Sequence, residues 1–183
     1  PGRLVQHGPP ARERGRHGVG EELMPRGGGV HVVEEELLDL VHKLNRDDDV
    51  HGILVQLPLP KQISEQRVLL AVSAAKDVDC FHPENVGLLV QGRPRFLPCT
   101  PHGVQQLLVR NGIDTAGKHV VVVGRSNIVG KPVMNLLLQK QKGANAVVTV
   151  AHTGAGDLAP YIRQADIVVA AIGRPEAIHG SML

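Results

Sequence analysis

Aromatic side chains are nearly missing from this chain: 2% of 183 residues, with no Trp, one Tyr and two Phe. Any core must therefore be built from Val, Leu, Ile and Ala. Cysteine is also scarce. Cys80 and Cys99 are the whole set and form no CxxC pair, which argues against a disulfide framework or a zinc site, so no metal is expected and a cytoplasmic location fits. No apolar run approaches the ~18 residues of a membrane span, and no secretory h-region opens the chain. Residue 1 is Pro rather than Met, which reads as a cleaved, trimmed or fragmentary start. The net charge of +2 is too small to argue for a nucleic-acid partner. What remains is 42% hydrophobic and 21% charged, the balance of an ordinary globular protein.

Lysine is absent until Lys43, and the first 29 residues differ from the rest, with eight Gly, four Pro and five Arg. They show no helical or strand periodicity and read as disordered. An arginine-rich arm for nucleic acid is the sharper alternative, but Glu13, Glu21 and Glu22 dilute it and no aromatics interleave for stacking. Order is expected from about Val32.

From there the pattern is α/β. Residues Glu34 to Asn45 predict an amphipathic helix with Leu37, Leu40, Val41 and Leu44 on one face, acids leading and Lys43 trailing. Val50 to Leu57 predicts a strand, Gln66 to Ala75 a helix, Lys76 to Asp79 a loop, and Pro101 to Asn111 a helix closed by Gly112. Then strands at His119–Gly124, Ala146–Ala151 and Asp166–Ala171 alternate with helices at Gly130–Gln139 and Leu158–Gln164 and another after Pro175. Continuous Val/Ile/Ala strands alternating with helices mean a parallel sheet covered on both faces. Two α/β domains are expected: a partial N-terminal one over 32–112, and over 113–183 a partial Rossmann-like, doubly wound parallel sheet.

The segment Val121-Val-Val-Gly-Arg-Ser-Asn-Ile-Val-Gly-Lys-Pro132 carries the most chemistry. A buried strand, a glycine turn and a helix with Pro132 in its first turn form the arrangement that cradles a phosphate on unpaired helix amides. The strict GxGxxG is absent; a plain strand-to-helix turn is the alternative. Sites selective for NAD place an acid at the end of the second strand, for the ribose 2′-hydroxyl. Here that strand ends Ala151-His152-Thr153. Arg125 and Thr153 instead suit a 2′-phosphate, so NADP is preferred, unless Arg125 is only a solvated surface charge.

Three earlier motifs add to this. Val55-Gln56-Leu57-Pro58-Leu59-Pro60 places a Gln at a strand end, where it can donate to a substrate, orient a catalytic amine, or cap its own loop. Lys76-Asp-Val-Asp79 brings two carboxylates together, able to hold an amidine-like ring edge or to form a solvated acidic loop. In Leu97-Pro-Cys-Thr-Pro101, Thr100 is the expected N-cap and Pro101 the first helical residue.

Together, His51-Gly-Ile-Leu-Val-Gln-Leu-Pro-Leu-Pro60, Lys76-Asp-Val-Asp79, Pro98-Cys-Thr-Pro-His-Gly103, Gly117 to Pro132 and Ala170-Ala-Ile-Gly-Arg-Pro175 resemble the bifunctional methylenetetrahydrofolate dehydrogenase/methenyltetrahydrofolate cyclohydrolase family, from about Glu34 to the end. The resemblance implies two α/β domains around a cleft, a homodimer, and a place in one-carbon metabolism and purine biosynthesis. It implies NADP-dependent oxidation of 5,10-methylenetetrahydrofolate and hydrolysis of the methenyl product to 10-formyltetrahydrofolate. By the same resemblance Gln56 and Asp79 are the catalytic candidates, Gln56 beside a catalytic lysine and Asp79 on the pterin ring edge. Pro58, Leu59 and Cys99 line the folate site, and Gly124, Arg125, Ser126 and Thr153 hold NADP.

Three departures stand out. The family's Tyr-x-x-x-Lys is absent upstream of Gln56, where Pro10-Ala-Arg-Glu-Arg-Gly-Arg16 stands. Neither Arg12 nor Arg14 can serve as a base. The abrupt change near Val32 suggests a frame-shifted translation over residues 1–31. Cys80 replaces the family's Gly, which is a strain if that position needs φ > 0. The family's last strand, Pro-Gly-Gly loop and final helix would lie beyond Leu183. Little or no turnover is therefore expected of this polypeptide. A shikimate-type NADP dehydrogenase and a non-catalytic folate/NADP-binding module are the alternatives.

Overall fold

The computed structural model describes residues 33–183, so the expectations for residues 1–31 lie outside the described residues. The chain divides into two compact units, the first ending at Asn85 and the second running from Val86 to Leu183.

The first unit holds α1 (Glu34–Arg46) and α2 (Glu65–Ala71), followed by the entry into α3 (Pro83–Val90). Helix α1 has three acids in its first turn and Lys43 and Arg46 in its last, matching the helix dipole at both ends. Its inward stripe is rotated slightly from the expected one. Leu38 and Val41 are buried, Leu37 and Leu44 pack beside them, and Leu40 stays outside the cluster. Ser64 caps α2 by accepting from the Arg67 amide. Both helices cover Ile53, Ile63, Val68 and Val72.

The strand expected at Val50–Leu57 is not a ladder. Its one pairing among the described residues is a parallel bridge from Ile53 to Asp77, with Ile53 N donating to Lys76 O at 2.7 Å. An apolar run supplies only the strand tendency; a partner strand must also be alongside. Helix α3 was not expected, although Pro83 at its first position is a start signal.

The second unit holds α4 (Cys99–Arg110), β1 (His119–Val123), α5 (Gly130–Leu138), β2 (Val147–Ala151), α6 (Ala159–Ile162) and β3 (Ile167–Ala170). The three strands are parallel in the order β2-β1-β3. β1 is central and buried on both faces. Val120 and Val122 pack with Val133 and Leu137 on one side, while Val121 and Val123 pack with Leu158 and Ile162 on the other. This is the covered parallel α/β sheet expected from the sequence. Helix α4 packs here too, through Val104 and Leu108. It begins two residues earlier than expected. Pro98, not Thr100, occupies the N-cap, at φ −60° and ψ 129°, and no side chain caps it. The helix expected after Pro175 is only a 3₁₀ turn at Gly180–Met182, because Glu176 at φ +54° breaks any helical run.

Candidate nucleotide and substrate sites

In the second unit, the C-terminal ends of β1, β2 and β3 emerge at one edge of the sheet, where open α/β sheets bind ligands. Gly124 leaves β1 at φ +133°, and a Cβ there would lie 2.1 Å from Ala171 O. Gly130 begins α5 against the same turn; its Cβ would lie 2.2 Å from Gly124 O. The two glycines are required where backbone crosses backbone, so the loop between them is held by close approach, not by side-chain packing.

The residues of that loop divide their labour. Gly124 is buried, while Arg125, Ser126, Asn127 and Ile128 are exposed. Ser126 Oγ accepts from Val129 N at 3.0 Å and Gly130 N at 3.3 Å, and Ser126 O accepts from Lys131 N at 3.1 Å. Pro132 has no amide hydrogen, and Val133 N is bonded to Val129 O. The first turn of α5 is therefore already satisfied. This corrects the expectation of unpaired helix amides: within this loop, the amides that donate to no protein acceptor are those of residues 125–128.

After β2, His152 Nδ1 accepts from Gly154 N at 3.0 Å and caps the 3₁₀ turn Thr153–Ala155. A Cβ on Gly154 would meet the His152 ring at 2.8 Å and lie 4.0 Å from an Arg125 guanidinium nitrogen. Arg125 and the Thr153 turn are thus brought together from two different strand ends. His152 and Gly154 were missed by sequence reasoning. An N-cap histidine before a Thr-Gly pair was the available signal.

In the first unit, the parallel bridge at Ile53 and Asp77 sends Gln56 and Asp79 out in the same direction, three and two residues further on. Gln56 is exposed, and its Nε2 donates to Leu57 O at 3.0 Å, capping its own loop. Pro58 is exposed; Leu59 packs against the first core, and its amide donates to Glu65. Asp79 is half-buried. Cys99 is exposed at the start of α4 in the second unit. Cys80 sits at φ +61°, so the conformation that the family's glycine would supply is present and a side chain is strained into it. Burial, and then the Asp77 charge, push its thiol from 9.0 up to about 11.

Two family models match the chain: the tetrahydrofolate dehydrogenase/cyclohydrolase catalytic domain over residues 25–79, and the NAD(P)-binding domain of the same enzymes over residues 98–183. The chain belongs to the tetrahydrofolate dehydrogenase/cyclohydrolase family. A bifunctional protein FolD from Syntrophus aciditrophicus is 60% identical over 153 residues, which cover 84% of this chain and 52% of that one. The crystal structure of the bifunctional FolD of Campylobacter jejuni matches at 47% identity and a TM-score of 0.77, over 84% of this chain and 53% of that chain. The Trypanosoma brucei FolD complexed with NADP and an inhibitor matches at 39% identity and a TM-score of 0.75, over 84% and 52%. The chain spans about half the length of the relatives it matches. Among the described residues, no helix is long and apolar enough to cross a membrane.

Proposed function

We propose that this chain serves the dehydrogenase and cyclohydrolase reactions of its family: oxidation of 5,10-methylenetetrahydrofolate to the methenyl compound with NADP+, and hydrolysis of that product to 10-formyltetrahydrofolate. The reading includes tetrahydrofolate derivatives as ligands, a homodimer, and a cytoplasmic place in one-carbon metabolism. The observation that carries it is the crossing of Gly124 and Gly130, which leaves an exposed run of amides next to Arg125 and the Thr153 turn.

That geometry fits NADP. The Gly124–Gly130 loop offers the amides of residues 125–128 to the phosphates. Both lone pairs of Ser126 Oγ are engaged by amide donors, so its own hydrogen is left to point at an anion. Arg125 supplies a fixed cation for a 2′-phosphate, and Thr153 a hydroxyl beside it. When bound, the cofactor accepts hydride; the protein's part is orientation and polarisation. On the folate side, Asp79 accepts hydrogen bonds from the pterin edge. Gln56, with its Nε2 tied to Leu57 O, presents Oε1 to the reacting centre. Pro58 and Leu59 shape the folate site of the first unit in this reading.

A second reading rests on one sequence fact: the sole tyrosine is Tyr161, so no Tyr-x-x-x-Lys stands upstream of Gln56. It makes this polypeptide a folate/NADP-binding module without turnover. The discriminating experiment adds 5,10-methylenetetrahydrofolate and NADP+ to the 183-residue chain and follows NADPH and methenyl absorbance. Binding of both ligands with no NADPH formed favours the module; sustained NADPH formation favours the enzyme. Absence of any folate binding overturns both.

A further inference from the structure

Two carboxylates lie in Lys76-Asp-Val-Asp79, and sequence alone does not separate their roles. The structure does. Asp77 is 4% exposed, and Asn85 is fully buried. Asp77 Oδ1 accepts from Phe81 N at 3.1 Å, and Oδ2 accepts from His82 N at 2.8 Å and from Asn85 Nδ2 at 2.8 Å. All three donors are uncharged. A carboxylate taken out of water in this way is stable only because its oxygens are filled. Asn85 Nδ2 also reaches Ala74 O at 2.8 Å, so the turn from Ala74 to His82 is closed on itself.

The neighbours of Asp77 are fixed as well. Lys76 Nζ donates to Leu44 O at 2.9 Å and Asp47 O at 2.7 Å, at the C-terminal end of α1. Val78 is buried over Gly52, where a Cβ would come within 2.5 Å of Val78 Cγ1. Ile53 N holds Lys76 O. Residues 76, 77 and 78 are thus each tied down immediately before Asp79, and the same ties bind the turn to the segment leading to Gln56.

We propose that Asp77 is a positioning residue for pterin recognition. Its buried carboxylate, with Asn85, sets the turn that aims Asp79 and keeps that turn in register with the Gln56 segment. This rests on the reading that Asp79 contacts the pterin edge. Asp77→Asn keeps the shape but turns one filled oxygen into an NH2 that faces an N–H donor, so the turn must shift.

The test is calorimetric titration of the 183-residue chain with 5-formyltetrahydrofolate, for the parent, Asp79→Asn, Asp77→Asn and the double variant, with NADP+ titrated into each as a check on the second unit. Asp77→Asn is expected to weaken folate binding about tenfold, leave NADP+ binding unchanged, and add less than about twofold on top of Asp79→Asn, because both act through one contact. If Asp77→Asn unfolds the chain, Asn85→Ser removes the amide that joins Asp77 Oδ2 to Ala74 O while both Asp77 oxygens keep a backbone donor, and is expected to cost about threefold with the same non-additivity. Parent-like folate affinity in the Asp77 or Asn85 variant, or full additivity with Asp79→Asn, overturns the proposal while leaving the role of Asp79 standing. An unaffected Asp79→Asn variant, or no folate binding by the parent, removes the functional reading beneath it.

Discussion

The two units are built on different logics. In the second, the backbone does the positioning: three parallel strands end together, and glycines let one turn pass against another at distances no side chain tolerates. In the first, the described residues share only one β-bridge, and polar side chains do the tying. Lys76 holds α1, Asp77 and Asn85 close a turn, and Asn45 joins Ala71 O and Ser73 N to α1. Motif residues therefore mean different things in each. In the second unit a motif glycine marks where one stretch of backbone crosses another. In the first, Lys76, Asp77 and Val78 tie the motif to the backbone and core around it.

Substitutions sharpen this contrast. The largest effect is expected from Gly130→Ala, whose Cβ must displace the Gly124 carbonyl. It should destabilise the second unit by more than about 3 kcal/mol and abolish NADP+ binding. Denaturant unfolding followed by probes in each unit checks that the first unit's transition stays in place. The counterpart in the first unit is Lys76→Met, which removes two hydrogen bonds from the α1 terminus. A loss of about 2 kcal/mol is expected, with NADP+ binding kept. At Cys80, Gly should be more stable than Ala by about 1 kcal/mol, because the φ of +61° suits only the former. The same thiol makes stability pH-dependent. Its folded value is raised from 9.0 to about 11, so over that window the unfolded chain loses its proton first, and stability falls as pH rises. Thermal unfolding of Cys80→Ala should lack that contribution. The smallest effect is expected from Arg67→Ala. Its exposed pairing with Glu34 and Glu35 should be worth no more than about 0.5 kcal/mol in denaturant unfolding.

The second unit was the more legible in the sequence. Val120 to Val123 alternate faces in a run that only a doubly covered strand explains, and the two glycines announced their turn. What sequence did not reveal was that Ser126 fills the helix amides, because capping by a residue three and four positions upstream depends on the loop's path. The first unit was harder to read. An apolar run at Val50–Leu57 promised a strand, yet pairing depends on which chain lies beside it. The short helix Pro83–Val90, with Gly87 inside it, lacked a helical period long enough to register. Asp77 and Asp79 look alike in sequence; in the structure Asp77 is the more deeply buried of the two.

In the proposed function Arg125, brought against the turn after β2, reads the 2′-phosphate of NADP. Calorimetric titration of the chain with NADP+ and NAD+, repeated on Arg125→Gln, tests it most directly. NADP+ should bind at least about tenfold tighter than NAD+ in the parent, and the variant should lose that preference while retaining NAD+ affinity. Equal affinity for the two nucleotides in the parent, or an undiminished preference in Arg125→Gln, would contradict it.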